Sequence, residues 1–169
     1  LTITVPNGPE TWKVNTQQSI SWATKGTIPN IKLYFSKDGG AYTAITGSIA
    51  NSSPYPWTIP DQISDNILVK ITDAAHDTDT DVDDESDAPF KIIGNIVITS
   101  PVGALPEAWI VGSTQNITWN TNGTIPSVSI YYSDDGGSTY PYEVTAGTSG
   151  GTGGISGTGS FEWTPIPNN

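Results

Sequence analysis

Apolar side chains in this chain recur at every second position, in short runs that turn residues cut off. Residues 1–5 alternate and stop at Pro6. Residues 12–14 lead to 19–22, where Ile20 and Trp22 share a face. Ile31, Leu33 and Phe35 alternate with Lys32, Tyr34 and Ser36, the period of a half-buried strand. Asp38-Gly39-Gly40 then predicts a hairpin turn, because glycine supplies the positive φ that such turns need. Runs at 41–45, 55–59, 67–71 and 89–93 follow. β-Branched residues, proline and glycine interrupt every window a helix would occupy. The pattern predicts an all-β, antiparallel sandwich for residues 1–94.

The same punctuation returns further along. Pro6, Gly8, Glu10, Trp12, Val14, Ile20, Trp22 and Gly26-Thr27-Ile28-Pro29 are answered by Pro101, Gly103, Glu107, Trp109, Val111, Ile117, Trp119 and Gly123-Thr124-Ile125-Pro126. The offset is 95 at the first proline and 97 after the insertion Ala104-Leu105, and Trp57-Thr58 is answered by Trp163-Thr164. So long a period is a whole small domain rather than a solenoid unit. Two tandem sandwiches are predicted, 1–94 and 95–169, joined so tightly at Gly94-Asn95 that the pair should behave as a semi-rigid rod.

The second copy is expected to lack its last two strands, since nothing in it corresponds to 67–71 or 89–93. That would leave Trp119, Val128, Ile130 and Trp163 facing water beside an open strand edge. Either the chain is an excerpt that continues into those strands, or a neighbouring subunit lends one. The Gly, Ser and Thr stretch 147–159 reads as a loop.

Composition narrows the function classes. Cysteine, methionine and arginine are absent, which removes disulfides, thiol nucleophiles and Cys-based metal sites. Without Met, Leu1 reads as a processed terminus or the edge of an excerpt. The net charge is −11, and residues 95–169 hold five acids and no base. Such a chain repels nucleic acid and anionic lipid and attracts divalent cations. No apolar run approaches the roughly 18–20 residues of a membrane span, so membrane insertion is not expected.

Taken together, Glu10-x-Trp12-x-Val14, Ile20-Ser21-Trp22, Tyr34-Phe35-Ser36-x-Asp38-Gly39-Gly40, Trp57-Thr58-Ile59-Pro60-Asp61 and Ser86-Asp87-Ala88-Pro89-Phe90-Lys91-Ile92 resemble an Ig-like repeat of microbial surface proteins. The domain is also similar to the N-terminal part of fungal Ser/Thr-rich, GPI-anchored cell-wall proteins. The resemblance implies an Ig-like or fibronectin-III-like sandwich in secreted, multidomain surface proteins without catalytic activity.

Eight of the seventeen acids lie between 73 and 87. Asp77, Asp79, Asp81 and Asp83 alternate, which would put carboxylates on one side of an extended loop, as Ca²⁺ with its six to eight oxygens requires. Val82 and Ala88 stand where an EF-hand needs Gly and Glu, so a solvated acidic loop is the competing reading. Ser133-x-Asp135-x-Gly137-x-Thr139-Tyr140 fits the Asp-box, a hairpin brace in which the aromatic packs beneath the turn. Four of the six tryptophans sit in alternating strands and read as core. Trp12 and Trp109 follow turns and are the candidate exposed platforms for sugar. His76 is the sole histidine, so neither a triad nor a zinc site can be assembled. Of the sequons at Asn51, Asn116 and Asn122, Asn122 on a predicted turn is favoured for glycosylation.

The expected function is a non-catalytic structural module of an extracellular, cell-surface assembly: filament, surface layer or stalk. Its partners would be further copies or neighbouring domains of the parent protein. The alternative is an accessory carbohydrate-binding or adhesin module whose partner is polysaccharide.

Overall fold

A computed structural model describes residues 1–77, 82–103, 108–144, 155–156 and 159–168, and the chain divides into two compact units, Leu1–Gly94 and Asn95–Asn169. No α-helix occurs among the described residues.

The first unit contains β1 (Thr2–Val5), β2 (Thr11–Lys13), β3 (Gln17–Ala23), β4 (Asn30–Lys37), β5 (Thr43–Ala44), β6 (Ile49–Ala50), β7 (Tyr55–Thr58), β8 (Ser64–Asp73), β9 (Asp83–Glu85) and β10 (Phe90–Ile93). One sheet runs β1-β3-β7; the other runs β2-β10-β8-β4-β5, with β6 also on β4 and β9 on β8. Every pairing is antiparallel except β2 with β10. β8 lies alongside β4 from Ile31↔Asp73 to Lys37↔Ile67. Its alternation sends Ile67, Val69 and Ile71 into a core shared with Ile31 and Leu33 of β4 and Ile3, Ile20 and Trp22 of the facing sheet. Ile67, Val69, Ile71, Phe90 and Ile92 are completely buried. At about 2 kcal/mol for each such side chain, β8 and β10 supply a large part of the unit's apolar stabilisation.

The expected hairpin is present. Asp38 and Gly39 both have positive φ, and the Gly40 N–H donates to the Lys37 carbonyl at 2.8 Å. Two strands escape the sequence pattern. β6 is too short to show a period. β9 is Asp-Asp-Glu, a composition that strands disfavour, and it lies inside the stretch read above as a loop. It forms because Lys70 of β8 sits opposite Glu85 and reaches Asp83 at 2.5 Å, while Asp84 Oδ2 accepts the Ile3 N–H at 2.7 Å.

The second unit contains β11 (Asn95–Ser100), β12 (Gln115–Asn122), β13 (Ser127–Val128), β14 (Tyr131–Tyr132), β15 (Tyr142–Glu143), β16 (Ile155–Ser156) and β17 (Ser160–Trp163). Its sheet β11-β12-β17 reproduces β1-β3-β7: Ile98 pairs with Trp119 as Ile3 pairs with Trp22, and the register slips just beyond both pairs. Ile166 exchanges backbone hydrogen bonds with Gly112 and Ser113 as Ile59 does with Asn15 and Thr16. β13 with β16 and β14 with β15 repeat the pairings of β4 with β6 and β5.

There the correspondence stops. Among the described residues nothing takes the place of β8, β9 or β10. Residues 108–110, the counterpart of β2, are not strand, because the strand that β2 pairs with has no equivalent here. β16 and Gly159 fall within the stretch expected to be a loop, so that expectation is corrected at 155–156; residues 147–154 and 157–158 lie outside the described residues.

Candidate functional site

Equivalent apolar positions are exposed very differently in the two units. Ile3 is 2% exposed and Ile98 57%; Val14 is 1% exposed and Val111 55%. Val128 and Ile130 are half-buried where Ile31 and Leu33 are fully enclosed. Between Ile98 on one side and Val128 and Ile130 on the other, the second unit has an open apolar cleft of about 290 Å³. Ile96, Ile98, Ile117 and Trp119 of β11 and β12 form one wall; Val128, Ile130, Tyr131 and Tyr140 line the other. Of the four residues expected to face water, Val128, Ile130 and Trp163 are half-buried. Trp119 is not exposed at all in that sense: at 4% it stays covered, and Gly159 crosses its backbone closely, accepting the Trp119 N–H at 2.9 Å.

The buried Trp119 indole Nε1 meets no acceptor among the described residues. In the first unit the equivalent Trp22 Nε1 donates to Asn51 Oδ1 at 2.7 Å. A buried donor left without an acceptor costs about 1–3 kcal/mol.

The far rim of the cleft is aromatic. The Asp-box brace forms as its residue types require: Asp135 Oδ1 accepts from Ser133 Oγ at 2.6 Å and from the Thr139 N–H at 2.9 Å, and its Oδ2 accepts from Thr139 Oγ1 at 2.7 Å. These donors, Ser133 first, hold the Asp135 carboxyl well below the usual carboxylate range. Tyr140 departs from expectation. Its hydroxyl lies against Gly137 of the turn, yet the residue is 60% exposed and lines the cleft. Tyr132 stacks on Tyr142 at 4.8 Å and leans on Trp163 at 5.0 Å. The sequence pattern does not single out Ile96, Ile98 or Tyr131. Matching each position to its counterpart in the first repeat, and asking which counterpart strand was absent, is the signal that finds Ile98.

Two of the four predicted calcium ligands have partners within the protein. Asp77 accepts from Lys32 Nζ at 2.6 Å, from Tyr34 Oη at 2.8 Å and from Thr72 Oγ1 at 2.7 Å. Asp83 is ion-paired with Lys70. Asp79 and Asp81 lie outside the described residues. Ammonium groups on two of the four carboxylates repel a dication, and among the described residues no three metal-ligating side chains converge. In this structure Asp77 and Asp83 are each engaged by a lysine. Asp73 is likewise engaged, by the Ala75 N–H and by His76, and Asp87 by Asn7.

Trp12 corrects a second expectation. It is 6% exposed, set between Trp57 at 6.1 Å and Phe90 at 4.7 Å, and offers no platform to a sugar. Its position after a turn misleads because β10 pairs with β2 and draws it into the core. Trp109 meets Trp163 at the same 6.1 Å and 73° that relate Trp12 to Trp57. With no counterpart of Phe90 upon it, Trp109 is half-buried. Asn122 closes β12 opposite Asn95 and is half-buried, whereas Asn116 is exposed. Asn51 is engaged through both ends of its amide.

No protein-family model matches the chain, and neither does any curated protein. Among solved structures, the fibronectin(III)-like modules of Clostridium thermocellum CbhA are similar over 97% of this chain and 78% of theirs, with 16% identity and a TM-score of 0.31. No helix among the described residues is long and apolar enough to cross a membrane.

Proposed function

We propose that the chain is a non-catalytic structural module of an extracellular cell-surface assembly, built from two Ig-like units, and that it attaches to its neighbours through the second. One observation carries this reading. The two repeats share sheet order and register, yet the first encloses its core while the second leaves the equivalent residues open in the cleft between Ile98 and Ile130. An apolar surface of that kind, on an otherwise polar and acidic unit, marks an interaction face. Asp73, Asp77, Asp83 and the single histidine are spent on structural pairings, which supports a role without chemistry.

The test is assembly. Residues 1–169 should form concentration-dependent complexes with themselves or with cell-surface extract in sedimentation velocity, and residues 1–94 should not. A monomer that is retarded on a polysaccharide gel would favour the adhesin reading instead.

A further inference from the structure

We infer that the first unit carries a carbohydrate subsite. The hollow between Tyr34, Tyr42, Lys70 and Asp77, on the outer face of its larger sheet, takes one neutral sugar ring of a glycan. This goes beyond the reading above without altering it, since a module that assembles through its second unit can hold a glycan through its first.

β4 and β8 set Tyr34 opposite Lys70 and Lys32 opposite Thr72, so these side chains share the sheet face turned away from Leu33, Val69 and Ile71 of the core. Two loops enclose them. The hairpin after β4 folds over the face, where Ser36 Oγ donates to the Gly40 carbonyl at 2.7 Å, and brings in Tyr42. The turn after β8 brings in Asp77, which accepts from Lys32, Tyr34 and Thr72. Tyr42 is fixed from two sides, its ring 5.9 Å from Lys70 Nζ and its hydroxyl on Glu85. The hollow measures about 170 Å³, and Thr72, itself buried, closes its floor. That is room for roughly six waters. Pockets for drug-sized ligands start at about 300 Å³, so this one suits a single ring.

The chemistry of the wall selects the ligand. Both charges that line the hollow are paired with charges that do not: Lys70 with Asp83, and Asp77 with Lys32. An anion or a cation would compete with an ion pair, whereas a neutral ligand leaves both in place. Lys70 spends one ammonium N–H on Asp83 and keeps the others; Tyr34 Oη donates to Asp77 and keeps its lone pairs. Donors and acceptors thus stand side by side, and a hydroxyl group answers both. The two tyrosines add flat apolar surface for the C–H face of a pyranose, Tyr42 being 38% exposed. An open-chain polyol would meet the hydrogen bonds and miss the rings. Because internal bonds already hold these side chains, binding has little ordering to impose.

The probes are the methyl glycosides of glucose, galactose and mannose, both anomers of each, titrated into isotope-labelled residues 1–169 and followed by amide shifts. One sugar ring at the ligand efficiency of drug-sized compounds has a Kd of about 1 mM. At least one glycoside should bind saturably in that range, with shifts confined to the surroundings of Tyr34, Tyr42, Lys70 and Asp77. The matching uronate and amino sugar, and open-chain sorbitol, should bind at least about fivefold more weakly. Tyr42→Ala should also weaken binding about fivefold, and Tyr34→Phe, which keeps the ring and removes the oxygen, should weaken it several-fold. Both variants should melt as the parent does; if Tyr42→Ala fails to fold, Tyr34→Phe and the ligand series still decide. No saturable binding of any glycoside up to about 50 mM overturns the subsite. So do shifts centred elsewhere, equal binding of the charged or open-chain compounds, or undiminished binding by the folded variants.

Discussion

Trp22 Nε1 donates to Asn51 Oδ1 at 2.7 Å, and the same asparagine's amide reaches back to the Ile28 carbonyl at 2.8 Å. One side chain thus ties the end of β6 to a core indole and to the loop before β4. Asn51→Ala strands a buried indole donor. It should destabilise the first unit by about 1–3 kcal/mol, read as a lower urea midpoint for 1–94 with an unchanged slope. A midpoint within error of the parent would show that water replaces the amide.

Gly8 has φ +68°, and a Cβ there would lie 2.8 Å from the Ala88 Cβ and 3.1 Å from two backbone carbonyls. Both the left-handed backbone and the contact with the segment before β10 demand glycine. Gly8→Ala should cost about 1–3 kcal/mol, whereas alanine at Gly26, where nothing lies within 4 Å, should cost no more than its positive φ imposes. Paired melting curves of the two variants give the difference directly.

The Asp77 carboxyl is lowered from 3.8 to about 2, first by the Lys32 hydrogen bond and against its own partial burial. Because the folded value lies below the unfolded one, the stabilisation is complete above about pH 4 and disappears as pH falls through about 2. Asp77→Asn should lower stability at pH 7 by about 1–2 kcal/mol, allowing for side chains about a quarter exposed, and should flatten the acid limb between those values. Melting midpoints of 1–94 from pH 2 to 7 test it. The same protein should melt identically in EGTA and in Ca²⁺, since the Asp77 and Asp83 carboxylates are taken by lysines.

Trp12 and Trp109 hold equivalent places, but among the described residues only Trp12 has a ring, Phe90, on its second face. Trp12→Ala should therefore cost about 3–5 kcal/mol and Trp109→Ala less than half as much. Tryptophan fluorescence of the parent should show the second unit's indoles more accessible to acrylamide. Comparable losses in the two variants would mean that Trp109 is covered in solution.

Strand positions in the first unit are legible because each strand puts one face in the core, so that Ile31, Leu33 and Phe35 announce themselves by period alone. β9 is not legible, because its acids are held in a strand by Lys70 on the neighbouring strand and by the Ile3 N–H, contacts remote in sequence. Trp12 misleads for a related reason: its burial depends on β10, nearly eighty residues away. The candidate site is half legible. Val128 and Ile130 follow from the strands the second repeat lacks. The cleft's opposite wall and its aromatic rim depend on where β11 and the braced turn carry Ile98 and Tyr140 in space.

The parallel pairing of β2 with β10 joins residues 11–13 to residues 91–93. During synthesis, then, an early strand waits for nearly the whole repeat to leave the ribosome before its edge is covered. Until that moment the nascent first unit carries the same uncovered flank as the second, and long-range closure of this kind is slow. That flank stays uncovered for the time it takes to translate about eighty residues, several seconds at ordinary elongation rates.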